Sequence, residues 1–301
     1  MDIVETHRDL VTRLLPDDKQ EELTIRHGQF HHVVVGSEHV VCFARTEAAA
    51  GRLPARAAAL RALAGLDLGF RTPRPLAQGG GPGTDEPPYL VLSRIPGAPL
   101  DDAALEGADV AEAVAEQYAG LLSRLIAAGR DERARAALSA APERQWPEFA
   151  AGVRAELFPL MSDGGRERAA RELAALDGLP PLTSAVVHGD LGGENVLWEL
   201  SDGVPRLRGV IDWDEVTLGD PAEDLAAVGA GYGEELLDRV LALGGWNNAS
   251  TAGRIAAIRG TFALQQALYA QRDGDEDELA DGLTGYRQAK PPGARDARAC
   301  R

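Results

Sequence analysis

The segment that most constrains this chain is a glycine-rich turn followed by two strand-like runs. Residues 188–197 read His-Gly-Asp-Leu-Gly-Gly-Glu-Asn-Val-Leu, and Ile-Asp-Trp-Asp follows at 211–214. The apolar runs lie between, from Val196 to Leu200 and from Leu207 to Ile211. A hairpin between two such runs returns the chain to its starting point. The pattern therefore predicts that one sharp turn collects Asp190, Asn195 and Asp212.

These three side chains are the set that phosphoryl transfer requires. A kinase uses one carboxylate to accept the proton of the attacking hydroxyl, and an amide and a second carboxylate to hold Mg²⁺ on the nucleotide phosphates. Asp190 suits the first role, and Asn195 and Asp212 suit the second. Taken alone, His-Gly-Asp is typical of a turn and Ile-Asp-Trp of a strand end. Together and in this order they predict a kinase that uses ATP, with GTP not excluded, and Mg²⁺.

The composition limits the partners and the compartment. The net charge is −16, from 31 basic and 47 acidic side chains in 301 residues. Such a charge argues against nucleic acid and anionic membranes as partners, and it suits either a cationic substrate or simple solubility. The two cysteines lack metal-ligand spacing, and no signal peptide or membrane span is recognisable, so we expect a cytoplasmic protein. The oligomeric state is not predicted.

The order of apolar patterns predicts an α+β fold with two lobes. An amphipathic helix over residues 3–15 precedes strand-like sequence from Leu23 to Arg45, a helix near 48–66, a loop from Pro73 to Gly83 and a strand at 89–93. Long helical segments follow, near 109–130, 146–161, 165–176, 221–243 and 252–289. We predict a small sheet-rich nucleotide-binding lobe over 1–95, a larger helical lobe with the catalytic loop and substrate cleft over 96–290, and a mobile tail over 291–301.

At this point the chain resembles the aminoglycoside phosphotransferase family, over about residues 23–286. The resemblance is carried by His-x-Asp-x-x-x-x-Asn at 188–195, Ile-Asp-Trp at 211–213 and Gly-Asp-Pro-Ala-Glu-Asp-Leu-Ala at 219–226. It implies a bilobal protein-kinase-like fold and an antibiotic-resistance kinase. Three further segments resemble a subgroup that acts on cationic cyclic peptides of the viomycin and capreomycin type. These are Thr6-His-Arg-Asp-Leu10, the segment 86–97 and the segment 262–273.

The nucleotide site departs from the pattern that this resemblance implies. Such kinases pair a basic residue on the third strand with a glutamate on the next helix, but here Cys42 and Arg56 hold those positions. We predict that Arg56 contacts the phosphates itself, since its planar fork grips phosphate oxygens. Arg45 is the alternative, and an exposed Arg56 in a weak enzyme is the opposing interpretation. Adenine would pair with the backbone of the connecting segment, Ser93 to Ile95.

The substrate side is less constrained. Only six residues separate Asp212 from Gly219, which leaves no room for a long activation segment and favours a small-molecule substrate. Candidate contacts for a cationic antibiotic are Asp214 and Glu215 after the metal site, and Gln266 and Asp273 on the last helices. His188 and Asp224 are interpreted as structural groups that fix the catalytic loop.

Other functions stay open at this stage. A sister kinase for an aminoglycoside or a metabolic alcohol would keep every catalytic residue. A pseudokinase that only binds the drug is compatible with the missing strand lysine. A hydrolase is the weakest alternative, because no Gly-x-Ser-x-Gly elbow is present.

Overall fold

The computed structural model describes residues 3–28, 30–81 and 83–287. The predicted tail at 291–301 lies outside these residues. The helices are α1 Ile3–Thr6, α2 Arg8–Leu14, α3 Glu47–Ala64, α4 Ala108–Ala128, α5 Glu132–Ala137, α6 Gln145–Gly152, α7 Asp163–Asp177, α8 Ala222–Gly244, α9 Ala249–Arg259, α10 Phe262–Asp273 and α11 Glu276–Gly282. The strands are β1 Thr24–His27, β2 His31–Val35, β3 His39–Ala44, β4 Pro75–Gly79, β5 Tyr89–Ser93, β6 Ala185–Val187, β7 Val196–Ser201, β8 Val204–Val210 and β9 Thr217–Gly219.

The amino-terminal part forms one five-stranded sheet in the order β1-β2-β3-β5-β4, with every neighbouring pair antiparallel. Successive side chains of a strand point to opposite faces, so the three consecutive buried residues of β3, Val41, Cys42 and Phe43, require cover on both faces. Residues of α1 and α2 pack with Val41 and Phe43 on one face. Helix α3 contacts β3 and β5. The predicted α+β class is confirmed.

Helix α3 owes its start and its packing to simple sequence signals. The Thr46 hydroxyl accepts a hydrogen bond from the Ala49 amide (3.1 Å) and so caps the first turn. The buried residues recur at spacings of three and four: Ala49, Leu53, Ala57, Leu60 and Leu63. Arg56 falls within this apolar stripe, three residues after Leu53 and four before Leu60. A cation is thereby carried to the side of the helix that faces the protein interior.

Two regions differ from the predicted secondary structure. The predicted loop from Pro73 to Gly83 contains the edge strand β4, whose first residue is Pro75; proline is tolerated there because an edge strand leaves some amides unpaired. The single helix predicted over 252–289 is three helices, α9 to α11. Gly274 ends α10 in the left-handed conformation (φ +76°), which most other residues adopt only at a cost.

Two short antiparallel pairs follow the long helix α4. Strand β6 pairs with β9, and β7 pairs with β8. The β7–β8 hairpin turns at Asp202 and Gly203, both with positive φ (+52° and +78°), as a tight two-residue turn requires. The predicted hairpin between these two runs is confirmed.

The segment after β5 is attached to the β7 strand. Ala98 and Trp198 exchange backbone hydrogen bonds of 2.9 and 2.8 Å. Gly97 precedes this bridge with φ +114°, and a Cβ placed on it would lie 2.6 Å from the Trp198 carbonyl oxygen. Only glycine fits this approach without moving either backbone.

The Gly97 position supplies a stability test. Replacing Gly97 by Ala combines strained φ with a backbone clash and is expected to lower the free energy of unfolding by about 1–3 kcal/mol in urea denaturation. Gly51→Ala is the matched control, because nothing lies within 4 Å of its Cβ position in α3. That variant is expected to gain up to about 1 kcal/mol from helix propensity. Equal stability of the Gly97 variant and the wild type would contradict the close approach.

The chain divides into two compact units, each continuous in space but not in sequence. One comprises Met1–Ala141 with Leu182–Asn247, and the other comprises Pro142–Pro181 with Asn248–Arg301. The second unit has its own apolar core, built from α6, α7, α10 and the segment around Leu283. The boundaries between these units lie at other positions than the lobe boundary predicted at residue 95, which stays a prediction. Among the described residues, no helix is long and apolar enough to cross a membrane.

Candidate active site

A buried carboxylate holds the start of the catalytic loop. Asp224, in the first turn of α8, accepts hydrogen bonds from the backbone amides of His188 (2.9 Å) and Gly189 (3.1 Å). Burial raises the pKa of Asp224 to about 7, and these two amide bonds oppose the shift. The pairing predicted for Asp224 is therefore present: it fixes the backbone that carries Asp190.

The His188 ring links both ends of the site. Its Nε2 lies 2.8 Å from the Ile211 carbonyl, and its Nδ1 accepts from the Asp190 amide at 3.2 Å. Nε2 therefore carries the proton and donates. The ring also lies against Trp213, with centroids 4.6 Å apart. Burial lowers the pKa of His188 to about 4, so the ring is neutral and structural, as predicted.

Asp190 and Asn195 are joined directly. The Asn195 Nδ2 donates to the Asp190 carbonyl (2.9 Å) and to its carboxylate (3.0 Å). This orientation leaves the amide oxygen of Asn195 available to a metal ion. Loss of solvent, then the neighbouring Asp212 charge, raises the pKa of Asp190, and the Asn195 bond opposes this. A raised pKa makes the carboxylate a better proton acceptor.

The hairpin register brings Asp212 to the same place. Val196 pairs with Val210, and the Ile211 amide donates to the Asn195 carbonyl at 2.9 Å. Asp212 has φ +61°, an uncommon conformation for a residue with a side chain. Its side chain is 54% exposed. Strained backbone of this kind often occurs at active sites, where the surrounding structure holds a side chain in one orientation.

Asn195 and Asp212 fit a magnesium site by their chemistry. Mg²⁺ prefers oxygen ligands and is usually bound by one or two carboxylates, with water and phosphate oxygens completing the shell. The free amide oxygen of Asn195 and the exposed carboxylate of Asp212 match this donor set. Among the described residues, no three His, Cys, Asp or Glu side chains form a metal cluster.

Arg56 enters this acidic site from α3. Its side chain is 13% exposed, and its Nε forms an ion pair with the Asp214 carboxylate. Its terminal nitrogens lie 3.9 Å from Asp212 Oδ1 and 3.4 Å from His31 Nδ1. Burial raises the pKa of Asp214 to about 6 although Arg56 opposes the shift, so the pair is ionic at neutral pH. The exposed Arg56 of the opposing interpretation is excluded.

Two neighbours of Arg56 carry no charge at neutral pH. Burial, then the charges of Arg56 and Arg52, lowers the pKa of His31 to about 4. Burial raises the pKa of the Cys42 thiol, which lies beside the guanidinium. The carboxylates of Asp212 and Asp214 are therefore the charged partners of Arg56. Cys42 and Arg56 were expected at the two positions of the usual pair and do lie beside each other, whereas the contact of Arg56 with His31 was not predicted.

The predicted linker contacts, Ser93 and Ile95, have different backbone environments. The Ser93 amide donates to the Arg74 carbonyl at 2.9 Å, so that amide is already used. Ile95 is buried and makes no backbone hydrogen bond to the described part of the chain. A cavity of about 700 Å³ adjoins both residues and also α3, the segment before β4, and β8. Its lining includes none of Asp190, Asn195 and Asp212.

The four predicted substrate contacts are divided between the two compact units. Glu215 lies close to the catalytic loop, because a Cβ placed on Gly189 would be 2.9 Å from the Cβ of Glu215. Burial raises the pKa of Glu215. Gln266 and Asp273 belong to α10 in the other unit. There the Gln266 amide donates to Glu278 (2.6 Å) and Asp281 (3.2 Å). Substrate contact by any of the four stays a prediction.

Comparison with known proteins agrees with this geometry. Residues 8–254 match the model of the phosphotransferase enzyme family. The chain belongs to this family. It is 75% identical over 287 residues to the viomycin phosphotransferase of Streptomyces vinaceus, and the alignment covers 95% of this chain and 100% of that relative. The predicted family membership and phosphotransferase activity are thereby confirmed.

Solved structures show the same fold at low identity. An aminoglycoside phosphotransferase in complex with GDP and kanamycin superposes with a TM-score of 0.80 at 19% identity, covering 93% of this chain and 96% of that one. A macrolide 2′-phosphotransferase superposes with a TM-score of 0.71 at 22% identity, covering 96% and 99%. The predicted kinase-like fold is confirmed.

The neutral His188 predicts how stability depends on pH. Its pKa falls from an ordinary 6.5 to about 4 on folding. The unfolded chain therefore binds more protons between these values, and the stability contributed by His188 is lost as pH falls through this window. Urea unfolding at pH 6.5 and 4.5 is expected to show a smaller pH-dependent loss in His188→Gln than in the wild type. Equal losses would contradict a neutral buried ring.

Proposed function

We propose that this chain is an Mg-ATP-dependent O-phosphotransferase that inactivates a cationic cyclic-peptide antibiotic of the viomycin and capreomycin type. The observation that carries the substrate class is the 75% identity along the whole of a viomycin phosphotransferase. The assembled set of Asp190, Asn195 and Asp212 supports the reaction type. An ATP-dependent enzyme of this kind would act in the cytoplasm, where the nucleotide is supplied.

Asp190 is the proposed catalytic base. It accepts the proton of the antibiotic hydroxyl while the hydroxyl oxygen forms a bond to the γ-phosphorus and the bond from that phosphorus to the bridging oxygen breaks, leaving ADP. The Asn195 amide and the His188 ring hold Asp190 through its carboxylate and its backbone. This fixed orientation supports attack from one direction only.

Asn195 and Asp212 are the proposed magnesium ligands. When bound, Mg²⁺ would supply positive charge that offsets the charge of the nucleotide phosphates. Without a cation, Asp190, Asp212 and Asp214 would repel the nucleotide phosphates. The residues themselves supply the orientation: the hairpin fixes both ligands, and His188 attaches the Ile211 carbonyl next to Asp212.

Arg56 and the linker are the proposed nucleotide contacts. Arg56 supplies positive charge beside Asp212, where the metal-bound phosphates would lie, and so replaces the missing strand lysine. Ile95, whose backbone makes no hydrogen bond to the described part of the chain, is the proposed partner of adenine, and Ser93 stays a predicted contact.

The substrate side of the proposal rests on charge. A guanidine-bearing peptide is attracted by a chain of net charge −16. Glu215, beside the catalytic loop, is the proposed carboxylate for its cationic group. Gln266 and Asp273 stay predicted contacts, whereas the Asp214 carboxylate is paired with Arg56.

The function is tested by mass spectrometry of antibiotics incubated with the protein and Mg-ATP or Mg-GTP. The panel is viomycin, capreomycin, kanamycin, choline and homoserine. A phosphate-sized gain on the cyclic peptides alone is the expected result. Asp190→Asn, which keeps the shape and an acceptor for Asn195, is expected to lower turnover by about 10²–10⁴-fold with nearly unchanged nucleotide affinity.

Other outcomes of the panel separate the alternatives. A gain on kanamycin, choline or homoserine would keep the mechanism and replace the substrate. No gain on any compound, with folded protein that still binds nucleotide, would establish a binding protein. Loss of nucleotide affinity in Asp190→Asn would contradict the role of Asp190 as base.

Arg56 gives a separate kinetic prediction. Arg56→Gln removes the charge that offsets the phosphates and is expected to raise the KM for ATP by about tenfold to a hundredfold, the size of a charged hydrogen bond. Arg61→Gln is the matched control, since Arg61 is an exposed arginine on the same helix. It is expected to leave the KM for ATP unchanged. An unchanged KM for ATP in Arg56→Gln would contradict the proposed contact between Arg56 and the phosphates.

A further inference from the structure

We propose that Asp214 is a positioning residue for Arg56, and that the two form the nucleotide-holding ion pair of this enzyme, with both charges carried by other elements than in the usual pair. The cation comes from helix α3 instead of strand β3, and the carboxylate comes from the segment after Asp212 instead of the helix. This inference rests on the proposed function, and it moves Asp214 from the substrate to the nucleotide side of the site.

The first observation is that the usual strand position holds no charge here. Cys42 lies in the middle of β3, paired with Val33 and Leu90, and is buried. A thiol at this position cannot attract phosphate. The two lysines of the chain, at positions 19 and 290, lie outside the third strand. A cation for the phosphates therefore has to reach the site from another element.

The second observation is the way in which Arg56 is held. Its Nε forms an ion pair with Asp214 Oδ1 without the alignment of a hydrogen bond, and a terminal nitrogen lies 3.9 Å from Asp212 Oδ1. The ion pair thus restricts the long arginine side chain and leaves one terminal nitrogen of its guanidinium beside the Asp212 carboxylate. An arginine without such a partner would lose more rotamer entropy on binding phosphate. The pair pre-organises the guanidinium for its ligand.

The third observation is that the Asp214 carboxylate has few free positions. Its side chain is 21% exposed; one oxygen meets Arg56, and the other lies 3.8 Å from His31 Nδ1. A substrate guanidinium would have to displace Arg56, and leaving a buried charge without its partner is costly. The adjacent Glu215 is the better carboxylate for the antibiotic, because the described contacts of Arg56 do not include it.

The test is a double-mutant cycle on the full chain with Asp214→Asn, Arg56→Gln and the two combined. Mg-ADP affinity is measured by calorimetry, and the KM values for ATP and for viomycin by steady-state kinetics. Asp214→Asn is expected to weaken Mg-ADP binding and raise the KM for ATP by about tenfold or more, with less than about a twofold change for viomycin. The double variant is expected to match Arg56→Gln alone, since the two residues act as a unit.

A conservative variant and a neighbouring one complete the design. Asp214→Glu keeps the charge on a longer side chain and is expected to bind Mg-ADP with intermediate affinity, which a purely structural loss would not produce. Glu215→Gln is expected to have the opposite effect to Asp214→Asn: a raised KM for viomycin and an unchanged affinity for Mg-ADP. Near-ultraviolet circular dichroism checks the fold of each variant, and the Asp214→Glu arm carries the test if Asp214→Asn does not fold.

Two results would overturn the proposal. A raised KM for viomycin with unchanged Mg-ADP affinity in Asp214→Asn would make Asp214 a substrate carboxylate. Multiplicative effects in the double variant would show that Asp214 and Arg56 act independently. Because Mg-ADP binding needs no antibiotic, the cycle still tests the ion pair if the wild-type chain phosphorylates no member of the panel.

Discussion

The register of the β7–β8 hairpin is the constraint on which the site depends. Strand side chains alternate between two faces, so a slip of one residue would turn each of them to the wrong side. In the observed register Val196 faces Val210, and the residues just outside the pair, Asn195 and Ile211, are joined by a backbone hydrogen bond. The metal-ligand candidates are neighbours because the two-residue turn and a bulge at Arg208, which shifts the pairing by one residue between Trp198 and Leu197, together set this register.

A second layer of the site is electrostatic. Burial raises the pKa of Asp190 and of Asp214, and the neighbouring Asp212 charge raises both further. Arg56 is the buried cation in this part of the described structure, and it is held by the carboxylate that it neutralises. His31 and Cys42 are neutral, so neither adds to nor offsets the positive charge of Arg56. A small acidic site can hold nucleotide phosphates only if such a cation and a metal ion offset the repulsion.

The structural roles of His188 and Asp224 were predicted, although the bonds that carry them join distant positions of the chain. The His188 ring bonds Ile211, and the backbone amides of His188 and Gly189 bond Asp224. The single helix predicted over 252–289 was wrong because apolar spacing continues across Gly260 and Gly274, at which α9 and α10 end. Edge strand β4 was missed because it begins at Pro75 and ends at Gly79, and proline and glycine are typical of loops.

The sequence by itself determined the reaction type, the class of fold and the hairpin, since all three follow from ordered motifs and short-range spacing. It also placed Arg56 on the inner face of α3, where the apolar stripe carries it. Only the tertiary structure decided which carboxylate holds Arg56, because Asp214 lies far along the chain and is brought near by the sheet, the hairpin and α3 together. Partners that meet through packing leave no spacing in the sequence, and so the role of Asp214 could not be read from it.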